Sequence, residues 1–150
     1  MKFALLAFSI ATGALPAATN LLVAVRVGGT NFVAKIEDTA TGRAFMEKLP
    51  LTLDMAELNG NEKYRYGVKL PKAPKHYDKI EPGDLMLYGS DCLVLFYGTA
   101  GGYSYTRVGK LTSTNGLAKA VGKDSAKVTF EKTTPKADIQ DADFKKKQED

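Results

Sequence analysis

The sequence predicts a mainly β domain, a closed β-barrel of about eight strands with two short capping helices. Three features support this fold class. Short segments alternate apolar and polar residues, as half-buried strands do. Glycine-containing pairs such as Gly28-Gly29 and Asn59-Gly60 separate neighbouring segments and favour tight hairpins. Some seven or eight short strands with two small helices are typical of a β-barrel or closed sheet.

In the first half of the domain, the sequence predicts four strands and one helix. The valine-rich segment 21–38 predicts a hairpin around its Gly-Gly pair. Thr39 or Thr41 can cap a short helix over residues 42–49, which the following proline ends. Two alternating arms around Asn-Gly, within residues 51–70, predict a second hairpin.

The second half predicts four further strands and one helix. Residues 71–82 contain three prolines and predict a loop. Residues 83–98 predict two strands, of which the second is apolar on both faces and therefore expected in a central position. The remaining predicted elements are a strand within 103–112, a helix within 116–122 and a strand within 126–132.

Composition excludes several classes of function. The net charge is +4, and only four of the 21 basic residues are arginine, which argues against a nucleic-acid partner. The sequence contains one cysteine, Cys92, and one histidine, His76, too few for a zinc site. Cys92 lies in an apolar run and is expected to be a small buried residue. We therefore expect neither a metal nor a cofactor.

Both ends of the chain differ from the domain between them. Residues 1–17 combine one lysine, an apolar run and a small-residue end, which predicts a signal peptide and a periplasmic or secreted protein. The run is too short for a membrane span, so no stable membrane insertion is expected after cleavage. A cytoplasmic protein with an N-terminal helix or strand is the alternative. Residues 133–150 predict a disordered charged tail, which leaves a domain at 21–132.

Three long segments, in matching order, resemble the small bacterial cyclophilin-like family: Leu49–Tyr66, Gly83–Gly98 and Tyr103–Leu111. The resemblance extends over about Leu21 to Lys132. It implies a small version of the eight-stranded cyclophilin barrel capped by helices, and it implies no established biochemical role.

True cyclophilins are prolyl isomerases, and the resemblance does not extend to their active site. Their arginine is followed by a phenylalanine and a Phe-x-x-Gln-Gly stretch, with a histidine and often a tryptophan later. This sequence has no tryptophan, and its glutamines, Gln140 and Gln148, lie in the predicted tail. His76 lies in the proline-flanked loop. The resemblance thus implies the fold without the usual catalytic residues.

Five side chains are candidates for a site. Tyr103, Tyr105 and Arg107 share one face of a predicted strand because side chains alternate with period two. The planar guanidinium can bind a peptide carbonyl or a carboxylate; an outward ladder of tyrosines and arginine is the alternative. Asn59 and Glu62 are weaker candidates, since the asparagine can serve the turn and the glutamate can pair with a neighbouring lysine other than Lys63, which strand geometry excludes.

These residues favour an exported binding domain whose groove accepts an extended peptide or a small ligand. The alternative is a divergent peptidyl-prolyl isomerase that uses Arg107 or, less favourably, Arg65. Another enzyme on the same barrel is a third candidate, because fold does not fix function. An Arg107 side chain in a concave apolar pocket beside Tyr105 would favour an enzyme. The sequence determines neither the oligomeric state nor the ligand.

The signal-peptide hypothesis makes a direct prediction. N-terminal sequencing of the protein from its native source is expected to begin at Ala18, because Ala17 supplies the small residue before the cleavage site. Native protein that begins at Met1 would contradict export through this segment.

Overall fold

The computed structural model describes residues 21–133. The predicted signal peptide lies outside the described residues, and so does the predicted tail apart from Thr133.

Nine strands and two helices make up the described part of the chain. In order they are β1 (Leu22–Val27), β2 (Thr30–Ile36), α1 (Ala40–Glu47), β3 (Leu51–Leu58), β4 (Glu62–Tyr66), β5 (Lys75–Tyr77), β6 (Asp84–Tyr88), β7 (Cys92–Phe96), β8 (Tyr103–Leu111), α2 (Leu117–Val121) and β9 (Ala126–Lys132).

Eight of these strands close into an antiparallel barrel. Their order is β2-β1-β9-β3-β4-β7-β6-β8, and β8 pairs back onto β2. The prediction of a closed barrel of about eight strands with two short helices is confirmed.

The short strand β5 lies outside the barrel and pairs with β8, with Lys75 opposite Tyr105. The prediction of a loop throughout residues 71–82 is therefore wrong at β5. Three residues are too few to show an alternating pattern, and this strand depends on its partner.

The two predicted glycine turns have the backbone that tight hairpins require. Gly28 and Gly29 have φ values of 56° and 84°, and Asn59 and Gly60 have φ values of 56° and 72°. Positive φ at both central residues is the geometry of a type I′ turn, which matches the twist of the flanking strands. The Asn59-Gly60 turn therefore sets how β4 returns beside β3.

Helix α1 begins at Ala40, two residues before its predicted start. Thr39 is the cap, because its hydroxyl accepts a hydrogen bond from the backbone N–H of Gly42 at 3.1 Å. Thr41 instead donates its hydroxyl to the carbonyl of Pro71 at 2.7 Å. The helix buries Phe45, whose ring packs edge-on against Phe130 at 5.3 Å between ring centres.

Apolar side chains pack in two separate clusters. The larger cluster fills the barrel with inward-facing residues such as Val25, Met55 and Leu93. The smaller one lies on the outer face and consists of Ile80, Met86, Cys92, Val94, Phe96 and Tyr105. Burial on both faces explains why β7 is apolar throughout, as predicted for a central strand.

Barrel closure depends on a close approach at Gly109. This residue pairs with Ile36 of β2, and a Cβ atom at position 109 would lie 2.6 Å from the carbonyl oxygen of Lys35. A β-bulge lies beside it, since Leu85 pairs with Gly109 while Met86 pairs with Arg107. Glycine therefore allows β2 and β8 to meet at the seam of the barrel.

Within residues 21–133, neither helix has the length and hydropathy needed to cross a membrane.

Replacing Gly109 with alanine is expected to lower the free energy of unfolding by about 1–3 kcal/mol, because the new methyl group overpacks the seam. Urea-induced unfolding measures the change. Lys35→Ala is the matched control on the facing strand: it removes exposed atoms and is expected to change stability by less than about 0.5 kcal/mol. A Gly109→Ala protein as stable as the control would show that the seam tolerates a side chain.

Candidate functional site

A concave groove of about 310 Å³ lies on the outer face of the barrel. Strands β4, β7, β6 and β8 run side by side beneath it, and the β3–β4 turn closes one end. Its lining combines five tyrosines with one carboxyl group and a few apolar or small side chains: Leu58, Asn59, Glu62, Tyr64, Tyr66, Tyr88, Cys92, Val94, Tyr103 and Tyr105.

The groove contains four of the five side chains that the sequence singled out. Asn59 and Glu62 come from the β3–β4 hairpin, and Tyr103 and Tyr105 come from β8. These two segments are far apart in sequence. The strand order β4-β7-β6-β8 brings them to one surface.

Large hydrophobic side chains are exposed along this groove. The described residues contain four such exposed side chains, and all four line it: Leu58 at 42%, Tyr66 at 58%, Tyr88 at 48% and Tyr103 at 61% exposure. Scattered single exposed hydrophobic residues are ordinary, whereas a cluster around a concavity marks an interaction surface. The exposed apolar surface therefore coincides with the groove.

Aromatic pairs form two sides of the groove. Tyr64 and Tyr66 of β4 meet edge-on, with ring centres 5.9 Å apart. Tyr88 of β6 and Tyr105 of β8 pack at 5.6 Å. Tyr105 also packs edge-on against Phe96 at 5.5 Å, which fixes its ring against the outer apolar cluster. Ring pairs of this kind hold each other in place and add about 0.5–1.5 kcal/mol beyond their burial.

Glu62 is the carboxyl group of the groove, and it is 8% exposed. Among residues 21–133, no hydrogen bond or ion pair satisfies this carboxylate. Burial, and secondarily the negative charge of Glu57, raise the pKa of Glu62. The expectation that Glu62 pairs with a neighbouring lysine is thus wrong.

Lys63, the lysine that the sequence excludes as a partner of Glu62, is fully buried on the opposite face of β4. Its Nζ donates to Glu57 Oε1 and to the carbonyl of Gly122, each at 2.9 Å, and also to the carbonyl of Asp124. Tyr97 donates its hydroxyl to the same Glu57 oxygen at 2.6 Å. These bonds tie the β3–β4 hairpin to the end of α2 and hold the turn that carries Asn59 and Glu62.

Partial burial disfavours ionisation of Glu57, but its hydrogen bonds from Tyr97, Lys63 and the backbone N–H of Gly60 outweigh this effect and lower its pKa. Glu57 and Glu62 therefore differ in environment although they lie on one hairpin: Glu57 has three donors, and Glu62 has none among the described residues.

Cys92 lies in the groove and is buried, as predicted. Burial, followed by the charges of Asp91 and Glu62, raises the pKa of its thiol to about 11. A thiol with this pKa is protonated at neutral pH and is a poor nucleophile. Its contribution to the groove is apolar surface.

Arg107 lies on the outer face of β8 but does not line the groove. Its Nη1 donates to Asp84 Oδ1 at 3.1 Å, and its Cζ lies 5.4 Å from the centre of the Tyr77 ring. Lys110 Nζ lies 3.7 Å from the same Asp84 oxygen. Because Asp84 is almost completely buried, these cations compensate its charge, and the guanidinium is engaged away from Tyr105.

Arg65 also lies away from the groove. Its Nη1 donates to the carbonyl of Asp54 at 3.3 Å, on the face of β4 opposite Tyr64 and Tyr66. Arg65 therefore does not share a face with these tyrosines. None of the four arginines, all of which lie in the described part of the chain, lines the groove.

Six of the ten residues that line the groove are not candidates from the sequence: Leu58, Tyr64, Tyr66, Tyr88, Cys92 and Val94. The period-two spacing of Tyr64 and Tyr66 with Glu62 was the available signal, because it places all three on one face of β4.

A model of the cyclophilin-like family matches residues 25–131. The chain belongs to the cyclophilin-like family. The match covers most of the described barrel, including every strand that contributes to the groove. Searches of curated proteins and of solved structures give no significant match.

Within residues 21–133 of this cyclophilin-like protein, no three His, Cys, Asp or Glu side chains are grouped closely enough to hold a metal ion. The groove itself offers a single carboxyl group, a thiol and phenols, together with apolar surface. These groups are suited to binding by contact and hydrogen bonding.

Glu62→Gln is expected to raise the thermal midpoint of unfolding at pH 8 and to leave it unchanged below about pH 4. The folded-state pKa of Glu62 is raised, so the folded state holds the proton more tightly than the unfolded state. The free energy of unfolding therefore falls as pH rises through the pKa of Glu62, and glutamine at this position removes that loss.

Thermal unfolding followed by circular dichroism from pH 4 to pH 8 measures this effect. Glu47→Gln, at an exposed position of α1, is the matched control for loss of one negative charge. A Glu62→Gln protein less stable than the unmodified protein at pH 8 would indicate that the carboxylate has a stabilising partner.

Proposed function

We propose that this cyclophilin-like protein is a binding domain whose outer groove accepts an extended peptide or a small ligand, without a cofactor. The observation that carries the proposal is the coincidence of the exposed hydrophobic side chains with one concave surface. We also propose that the protein is exported, because residues 1–17 have the pattern of a signal peptide.

The lining supports selective binding. Tyrosine and leucine side chains supply apolar contact area, and tyrosine does so at little cost in side-chain entropy. Asn59 and Glu62 supply polar groups beside them. A mostly apolar groove with a few polar groups is the usual composition of a small-molecule or side-chain site, and 310 Å³ lies at the small end of such sites.

The position of Arg107 favours binding over prolyl isomerisation. Stabilisation of a twisted X-Pro bond requires a hydrogen-bond donor beside an apolar pocket, placed for the transition state. In this protein the Arg107 guanidinium contacts Asp84 and Tyr77, outside the groove. No observation supports a second function at this surface.

A ligand survey by NMR tests the proposal. Uniformly labelled protein is titrated with a panel of extended peptides, with and without proline, and with mixtures of small molecules. Binding is expected to shift backbone amides of β4, the start of β7 and the start of β8. Tyr103→Ala is expected to weaken binding by about 1–2 kcal/mol, because it removes an exposed aromatic contact.

Arg26→Ala is the matched control, because Arg26 lines a different surface depression, formed by β1, β2 and β9. Ligands that shift only residues around Arg26, or a full panel that shifts no groove amide, would contradict the proposal. Prolyl isomerase activity in a protease-coupled assay, lost in a folded Arg107→Ala variant, would support the enzyme instead.

A further inference from the structure

The groove has an unbalanced negative charge. Glu62 is more than nine-tenths buried and has no hydrogen-bond or ion-pair partner among residues 21–133, and no lysine or arginine lines the groove with it. The carboxylate opens to the groove, and this largely buried side chain has no cationic protein group to offset its partial removal from water. A positively charged group that enters the groove would supply this counter-charge.

Five tyrosines line the same groove as this carboxylate. The face of an aromatic ring carries partial negative charge and attracts a cation within about 6 Å. Two ring pairs, Tyr64 with Tyr66 and Tyr88 with Tyr105, fix the positions of four of the rings. Rings and carboxylate thus favour the same sign of charge in a ligand.

From this combination we propose that the groove binds an organic cation, a ligand with an alkylammonium or quaternary ammonium head group. Glu62 supplies the counter-charge, and the tyrosine rings supply cation–π contacts and apolar surface for the alkyl groups. This inference rests on the proposed binding function and specifies the class of ligand.

Other charged ligands fit the groove less well. An anion would meet the negative charge of Glu62 and, nearby, that of Asp91, both of which act on Cys92. A metal ion would find one carboxyl group, and no metal-binding group of three side chains occurs within residues 21–133. A head group with apolar methyl substituents uses both the carboxylate and the rings.

The proposal predicts a pH dependence, because a cation prefers the ionised form of Glu62. Affinity is expected to fall as pH is lowered through the raised pKa of this group. The other titratable groups that face or adjoin Glu62 lie on five strands. They are Glu57 on β3, Tyr64 and Tyr66 on β4, Tyr88 on β6, Cys92 on β7 with Asp91 before it, and Tyr103 and Tyr105 on β8.

The test compares two probes of nearly equal shape. Choline carries a quaternary ammonium, and 3,3-dimethyl-1-butanol replaces its nitrogen with carbon. The full chain is titrated with each probe while groove amides are followed by NMR. Choline is expected to bind about tenfold more tightly than the alcohol, as charge-assisted contacts allow. An extended peptide with trimethyl-lysine, compared with choline, distinguishes a peptide source of the head group from a free one.

Variants separate charge from shape. Glu62→Gln is expected to weaken choline binding about tenfold and to leave binding of the alcohol unchanged. Tyr66→Leu and Tyr88→Leu keep apolar bulk at exposed positions, and each is expected to weaken choline binding about two- to fivefold. Glu47→Gln, on exposed α1, is expected to change neither affinity.

Equal affinity for the two probes, or choline binding unaffected by Glu62→Gln, would overturn the cation inference and leave the binding function standing. The same conclusion would follow if choline shifted no groove amide while peptides or other molecules of the panel still did. If nothing in the panel shifts it either, both proposals fail. A further variant combines Lys145→Gln, Lys146→Gln and Lys147→Gln and is measured without ligand. If its groove amide signals differ from those of the unmodified protein, the groove binds the chain's own lysines, and the proposal of an external ligand is wrong.

Discussion

Closure of the barrel at the β2–β8 seam is the constraint on which the other features depend. Three residue pairs join these strands, and Gly109 lets them approach, because a side chain there would collide with the carbonyl of Lys35. Once the sheet is closed, each strand has one inward and one outward face. On the other side of β8, a bulge interrupts the pairing with β6 between Leu85 and Met86, and Arg107 and Lys110 both contact the buried Asp84.

The outer face carries a second apolar cluster, and the groove that we propose as a binding site lies beside it. Met86, Val94 and Phe96 are covered by neighbouring chain, whereas three tyrosines of the groove are exposed: Tyr66, Tyr88 and Tyr103. The resulting surface is rigid, because its rings pack in pairs on paired strands. The Lys63 network anchors the hairpin from the other side of the sheet. A rigid groove loses little conformational freedom when it binds, which favours affinity from a small contact area.

Glu62 and Glu57 show how one hairpin supports two kinds of carboxylate. Glu57 accepts hydrogen bonds from Lys63, Tyr97 and the turn, which stabilise its ionised form as part of the folded hairpin. Glu62, five positions later and on the opposite face, has no such donors within the described chain. Buried charge without a partner reduces stability, and a cationic ligand would remove this cost on binding. Removal of the carboxylate is therefore expected to have two effects: it stabilises the protein and weakens the binding of cations. Such an exchange between stability and function is common at binding sites.

The sequence by itself determined the local elements and the family. The glycine and Asn-Gly turns, the alternating strands, the Thr39 or Thr41 cap and the closed barrel follow from short-range patterns, and the structure agrees with them. Only the tertiary structure decided which strand faces formed a common surface. Period-two alternation places Tyr64 and Glu62 on one face, but it cannot place Tyr88 beside Tyr105, because strand order depends on pairing across the whole chain. For the same reason the sequence joined Arg107 to the tyrosines of β8, whereas Asp84 on the neighbouring strand binds it outside the groove.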